Sequence, residues 1–153
     1  MTINDRSGLR AIRSIDYVIV LCDDWKKMRA FFIDIFNFEI EQEEEGHFIA
    51  FRVGTLFLAL RPRGRAYDGP RKSDGSAGIQ LSFRVPPADV DLAYQALTDK
   101  GIDVIEPPTN QDFPHRTLFF RDPENNVIEI FADIHPRDTL PASSGLHRVV
   151  TGA

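Results

Sequence analysis

One order of segments, strand–helix–strand–strand–strand, is written twice along this chain, and that repetition restricts the fold more than any other feature. Residues 12–21 (IRSIDYVIVL) are rich in Ile and Val. Ile15, Tyr17, Ile19 and Leu21 alternate with Val18 and Val20, so the segment reads as a strand apolar on both faces. Such a strand is expected where a helix covers one side of a sheet. Asp23 or Asp24 then offers a short carboxylate to cap the free amides of a helix start. Met28, Phe31, Phe32, Ile35 and Phe36 recur at helical spacing, which predicts a helix over about 24–36. Asn37 follows, a residue that tolerates a left-handed cap. FEIEQEE, GHFIAFRV and TLFLALR read as three strands, turning at the acidic tip 44–46 and at Gly54.

Residues 61–78 (RPRGRAYDGPRKSDGSAG) break the pattern: glycine, proline and basic residues dominate, as in a long loop. The order then restarts. IQLSFRV is a strand, and Asp89, Val90, Ala93, Tyr94 and Leu97 suit a helix over about 88–99, closed by Gly101. GIDVIEP, HRTLFF and NVIEIFA supply three more strands, the last two separated by a Pro- and Asn-containing reverse turn at 122–126. A four-stranded sheet with one helix leaves its other face bare, so two such modules are expected to pack together or around a shared cavity. The expected layout is one domain: module one over about 12–61, a linker over 62–78, module two over about 79–132 and a tail over 133–153.

The chain has 153 residues and a net charge of −5, so it fits one domain and has no global attraction to nucleic acid or to an anionic membrane. Cys22 is its single cysteine, which rules out an internal disulfide and fits a reducing cytoplasm. Residues 1–8 are polar, without the pattern of a secretory signal, and no apolar run reaches membrane-spanning length. A cytoplasmic location is the expectation.

The segments IDYVIV, MRAFFIDIFNF, IQLSFRV and FFRDPENNVIEI, in this order and spacing, resemble the vicinal oxygen chelate superfamily of glyoxalase I, bleomycin-resistance proteins and extradiol dioxygenases. The resemblance covers roughly residues 12–132. It implies an α+β fold of two β-α-β-β-β modules with curved sheets around a shared cavity, and a homodimer. It also implies that the first and fourth strands of each module carry the metal ligands of metal-binding members. Those positions correspond here to Tyr17, Ala59, Gln80 and Glu129. Many relatives have His or Gln at the first of these and often His at the third; Glu129 keeps the family motif.

Gln80 and Glu129 are oxygen donors that a hard divalent ion accepts. Ala59 has no donor, and a neutral phenol at Tyr17 is a poor one. The four histidines, at positions 47, 115, 135 and 147, miss the family positions. The cofactor expectation is therefore none, with a divalent metal ion on Glu129 and Gln80 as the other possibility. As a buried polar residue of a pocket, Glu129 would need a donor such as Gln80, Tyr17 or an arginine.

Gln80, Ser82 and Arg84 alternate with Ile79, Leu81, Phe83 and Val85, so one face of that strand is polar and can line a ligand cavity. Arg52, Arg61, Arg63, Arg65 and Arg71 form a basic cluster around the long loop, suited to an anionic small molecule, and Tyr67 can stack on a planar one. The cluster has too few aromatics for nucleic-acid binding. His47 and His115 fall within predicted elements, and His115 is the preferred general base of the two.

The sequence therefore nominates Glu129, Tyr17 and His115 for chemistry and Gln80, Ser82, Arg84, Arg52 and Tyr67 for ligand contact. The first functional expectation is a small-molecule-binding protein with a degenerate metal site. A metal-dependent lyase, an extradiol-type dioxygenase or a metal-free isomerase is the second, and a dimerisation scaffold the third.

Overall fold

A computed structural model describes residues 6–71 and 75–140, which fall into two compact units divided after Arg71. In unit one, β1 (Tyr17–Cys22) leads into α1 (Trp25–Phe36), followed by β2 (Glu39–Glu44), β3 (Phe48–Val53) and β4 (Leu56–Pro62). In unit two, β5 (Gln80–Arg84) leads into α2 (Pro87–Asp99), followed by β6 (Val104–Asn110), β7 (His115–Arg121) and β8 (Val127–Asp133). Each unit holds one four-stranded sheet, in the orders β1-β4-β3-β2 and β5-β8-β7-β6. Three strands meander antiparallel, and the last returns beside the first in parallel. The doubled β-α-β-β-β order is therefore the observed one.

Helix α1 begins where the Asp24 carboxylate accepts the Lys27 amide and ends at Asn37, whose left-handed backbone has φ 52°. Trp25, Met28 and Phe32 are buried on its inner face. Phe32 lies in a ring cluster with Phe31, Phe36 and Phe51, and the Trp25 indole donates to the Leu60 carbonyl at 3.0 Å. Beneath α2, Val90 and Leu97 meet the sheet face that carries Leu118, Phe120, Ile128, Ile130 and Ala132, all buried. Burying the apolar face of an amphipathic helix on a sheet is the main source of stability in such a unit.

The first strand is shorter than its composition suggests. Residues 8–11 form a 3-10 turn, and sheet pairing starts only at Tyr17. Its partner β4 begins at Leu56, just after the turn at Gly54, where φ is 60°. The last rung upstream is the Phe57 amide donating to Asp16, so residues 12–15 have no strand to pair with and Ile12 and Ile15 stay exposed. Edge strands β2 and β6 both carry register shifts. In β6 the break spans Pro107 and Pro108, which cannot donate to a ladder and are tolerated at an edge. The long loop is more ordered than its glycine content implies, with a 3-10 turn at Ala66–Asp68. Of the tail, Pro136–Asp138 forms another such turn, and residues 141–153, with His147, lie outside the described residues.

Candidate ligand-binding site

In unit two, strand alternation separates apolar from polar side chains cleanly. Ser82 sits opposite Glu129 in the β5–β8 ladder, so both lie on the sheet face away from α2. Glu129 is 9% exposed, and its Oε1 accepts from the Ser82 hydroxyl at 2.7 Å and from the Gln80 carboxamide at 3.5 Å. Gln80 also donates to the Ser82 oxygen at 3.2 Å. Among the described residues Glu129 Oε2 receives no hydrogen bond. The three polar residues nominated on this face thus form one cluster around a nearly buried carboxylate.

Further along the same face, the His115 Nε2 lies 3.2 Å from the Asp133 carboxylate, and Arg84 pairs with Asp133 as well. The Arg84 guanidinium rests 4.6 Å above the Phe131 ring, and the His115 ring stands 4.7 Å from it. The Arg84 side chain is 58% exposed, with its guanidinium held between an aromatic ring and a carboxylate.

Sequence reasoning missed a second polar group on this sheet. Gln111 and Thr117 are buried, and the Gln111 carboxamide donates to Glu106 at 2.6 Å and to Thr117 at 2.8 Å. Thr117 lies between His115 and Phe119 on the face that carries Glu129. The alternation of His115 and Thr117 with Leu118 and Phe120 was the available signal. Gln111, beyond a broken edge strand, gave none.

Unit one presents a different face. Tyr17 pairs with Phe57, with ring centroids 4.9 Å apart, and Ile19 sits beside Ala59. Arg52 lies 4.8 Å over the Phe57 ring and pairs with Glu41 at 3.1 Å. Arg52 is thus committed to this aromatic pair on β3 and stands apart from the arginines of the loop. Tyr67 is 77% exposed and accepts a hydrogen bond from Arg65. His47 occupies the exposed β2–β3 turn rather than a core strand, where its amide closes the turn onto Glu44.

The four family positions occupy equivalent places in their two ladders. Tyr17 and Gln80 each lie two residues ahead of the partner of the fourth-strand position, Ile19 opposite Ala59 and Ser82 opposite Glu129. Unit one thus offers a phenol and a methyl group, and unit two a carboxamide and a carboxylate. Among the described residues no three His, Cys, Asp or Glu side chains group as a metal site. Two donors in unit two, one of whose oxygens already accepts from Ser82, do not by themselves fit a resident hard cation, which takes six or more oxygens.

The Glyoxalase/Bleomycin resistance protein/Dioxygenase superfamily model matches residues 14–130, and the chain belongs to that superfamily. Among curated relatives, the metallothiol transferase FosB of Staphylococcus saprophyticus is 26% identical over 121 residues, covering 78% of this chain and 76% of that protein. The glyoxalase domain-containing protein RDO1 of Mycosarcoma maydis is 28% identical over 124 residues, covering 78% of this chain and 68% of that protein. A crystal structure of a glyoxalase/bleomycin resistance protein/dioxygenase from Nocardioides superposes with a TM-score of 0.70 at 18% identity, covering 81% of this chain and 85% of that one. This last likeness is one of fold. No helix among the described residues is long and apolar enough to cross a membrane.

Proposed function

We propose that this chain is a small-molecule-binding protein of the glyoxalase and bleomycin-resistance type, whose polar sheet face in unit two receives the ligand and whose metal site is degenerate, without good donors at Tyr17 and Ala59. The observation that carries this reading is Glu129. Its Oε1 is fixed by Ser82 and Gln80 while Oε2 has no partner among the described residues. Oε2 keeps contact with solvent, so it is an acceptor that an incoming ligand can reach by displacing water rather than a protein donor. A bound N–H or O–H group satisfies it. Phe131, flanked by Arg84 and His115, adds an aromatic contact on the same face. The ligand that suits these groups is a planar or aromatic molecule bearing a hydrogen-bond donor. A homodimer in the cytoplasm is part of the proposal, by analogy with the family.

The test is a calorimetric titration with a panel of aromatic amines, phenols and carboxylates, run on the wild type and on Glu129→Ala and Gln80→Ala. A ligand bound by the wild type and weakened by roughly tenfold or more in Glu129→Ala supports the reading, since a hydrogen bond to a charged group contributes about 1.5–3 kcal/mol. Equal affinity in all three proteins would sink it. Elemental analysis after exposure to Fe(II), Mn(II), Ni(II) and Zn(II) tests the competing metalloenzyme reading. A stoichiometric ion lost in Glu129→Ala and Gln80→Ala would put the lyase or dioxygenase first.

A further inference from the structure

We infer that the loop after β4 forms a second, separate binding site, selective for small multiply charged oxyanions, phosphate or polycarboxylate, with Arg65 and Arg71 as its receiving cations. The loop borders an open surface cavity of about 340 Å³ lined by Asp23, Arg63, Gly64, Arg65, Gly69 and Arg71. That volume is at the small end of those that hold ligands.

The charges around it are not balanced. Arg63 is committed, its Nε donating to Asp23 at 3.0 Å and its Nη1 to the Asp68 carbonyl at 2.7 Å, so it neutralises the one carboxylate of the lining. Arg65 donates only to the Tyr67 hydroxyl, at 2.9 Å, and Arg71 only to the Asp23 carbonyl, at 3.0 Å. Neither pairs with a carboxylate among the described residues. Two arginine charges therefore converge on one cavity in a chain whose net charge is −5. Local positive potential in an acidic protein attracts anions to that spot, and the planar guanidinium fork matches carboxylate and phosphate oxygens.

The loop that carries these cations is held in shape before any ligand arrives. Asp68 accepts both terminal nitrogens of Arg61, at 2.9 and 2.6 Å, and its Oδ2 also accepts the amides of Gly64 and Arg65, at 2.9 and 2.7 Å. This clamp ties the loop to Arg61 at the end of β4 and is nearly excluded from solvent, and it engages neither the Arg65 nor the Arg71 side chain. Preorganised cations bind with less ordering entropy lost than flexible ones. The cavity belongs to unit one and shares no residue with the Glu129 cluster, so this site stands or falls separately from the proposed function.

Titration calorimetry with inorganic phosphate and with citrate, at low and at physiological salt, tests it. Saturable wild-type binding that weakens with salt is expected, with a loss of roughly tenfold for each of Arg65→Gln and Arg71→Gln, the size of a lost charge-assisted contact. A second variant, Gly64→Glu, keeps both arginines and places a competing carboxylate at the cavity. A Cβ at Gly64 meets no atom within 4 Å and its backbone is not left-handed, so the position accepts a side chain. It is expected to abolish binding. Phosphate alone binding defines a phosphate site, and citrate alone a polycarboxylate site. No saturable binding of either probe, or affinity unchanged in the double arginine variant or in Gly64→Glu, overturns the inference.

Discussion

The Ser82 hydroxyl donates to Glu129 Oε1 at 2.7 Å across the parallel β5–β8 ladder, and this single contact anchors the carboxylate on its sheet face. Removing it in Ser82→Ala leaves Oε1 with only the long Gln80 contact of 3.5 Å. The expected loss is about 1–3 kcal/mol of folding stability, the range for a buried acceptor deprived of its donor. Glu129→Gln keeps an acceptor oxygen in place, so its loss should stay below about 1 kcal/mol. Urea unfolding of the two variants checks the order. A Glu129→Gln variant less stable than Ser82→Ala would show that the charge itself, and not the hydrogen bond, holds this face together.

Asp68 gives the loop its own dependence on pH. Its hydrogen bonds from Arg61, then from the Gly64 amide, hold its carboxyl well below the usual carboxylate range. A carboxylate whose folded pKa is depressed adds stability that is present above its unfolded pKa, near 3.9, and is lost as pH falls through the folded value. Asp68→Asn should therefore be less stable than the wild type by a constant amount between pH 7 and pH 5. The deficit should shrink below about pH 4. At pH 7 the same variant should be cut by trypsin within residues 61–71 several-fold faster, because the open loop exposes its arginines. A stability deficit that grows on acidification would show the sign to be wrong.

Much of this architecture was written in the local pattern of side chains, and the exceptions have physical causes. Met28, Phe32 and Phe36 announced α1 because helical spacing puts them on one stripe, of which Met28 and Phe32 are buried, and Asp24 and Asn37 marked its ends by their capping chemistry. Gln80, Ser82 and Arg84 were readable as one polar face because strand alternation is strictly local, whereas Glu129 was tied to them only through the family resemblance. Residues 12–15 misled because alternation reports a capacity to pair, whereas a strand also needs a partner, and β4 begins only at Leu56. The Gln111–Thr117 contact and the Asp68 clamp depend on a register break and on loop closure. Neither of those is encoded in periodicity.

Asp122, in the turn between β7 and β8, behaves oppositely to Asp68. Burial pushes its carboxyl up, against the pull of hydrogen bonds from the Asn126 side chain and the amides of Glu124 and Asn126. A carboxylate whose folded pKa is raised adds stability that is full below the unfolded pKa and is lost as pH rises through the folded value. Asp122→Asn should therefore lag the wild type more at pH 4 than at pH 7. Asn keeps an acceptor for the two turn amides but sets its own amide against that of Asn126, which anchors the Gly78 amide at 3.0 Å. A deficit of about 1–2 kcal/mol at neutral pH is expected from that lost pairing. Thermal unfolding across the pH range tests both statements, and a deficit that widens toward neutrality would contradict the burial argument.

The stop of α1 gives the cleanest backbone test. Asn37 holds φ 52° and ψ 38°, and its amide donates to the Ile33 carbonyl at 3.1 Å, so the chain must turn left-handed here to start β2 two residues later. Asparagine accepts that conformation at some cost, glycine at almost none, and a β-branched residue only with strain. Asn37→Gly should raise stability slightly or leave it unchanged, by at most about 1 kcal/mol, because easier left-handed geometry is partly offset by a more flexible unfolded chain. Asn37→Val should lower it by about 1–3 kcal/mol, the strain of a β-branched residue forced into that region. Asn37 is exposed, so the difference between the two variants reads backbone strain with little contribution from lost packing. Equal melting temperatures for Asn37→Gly and Asn37→Val would mean that the left-handed turn does not set the end of the helix.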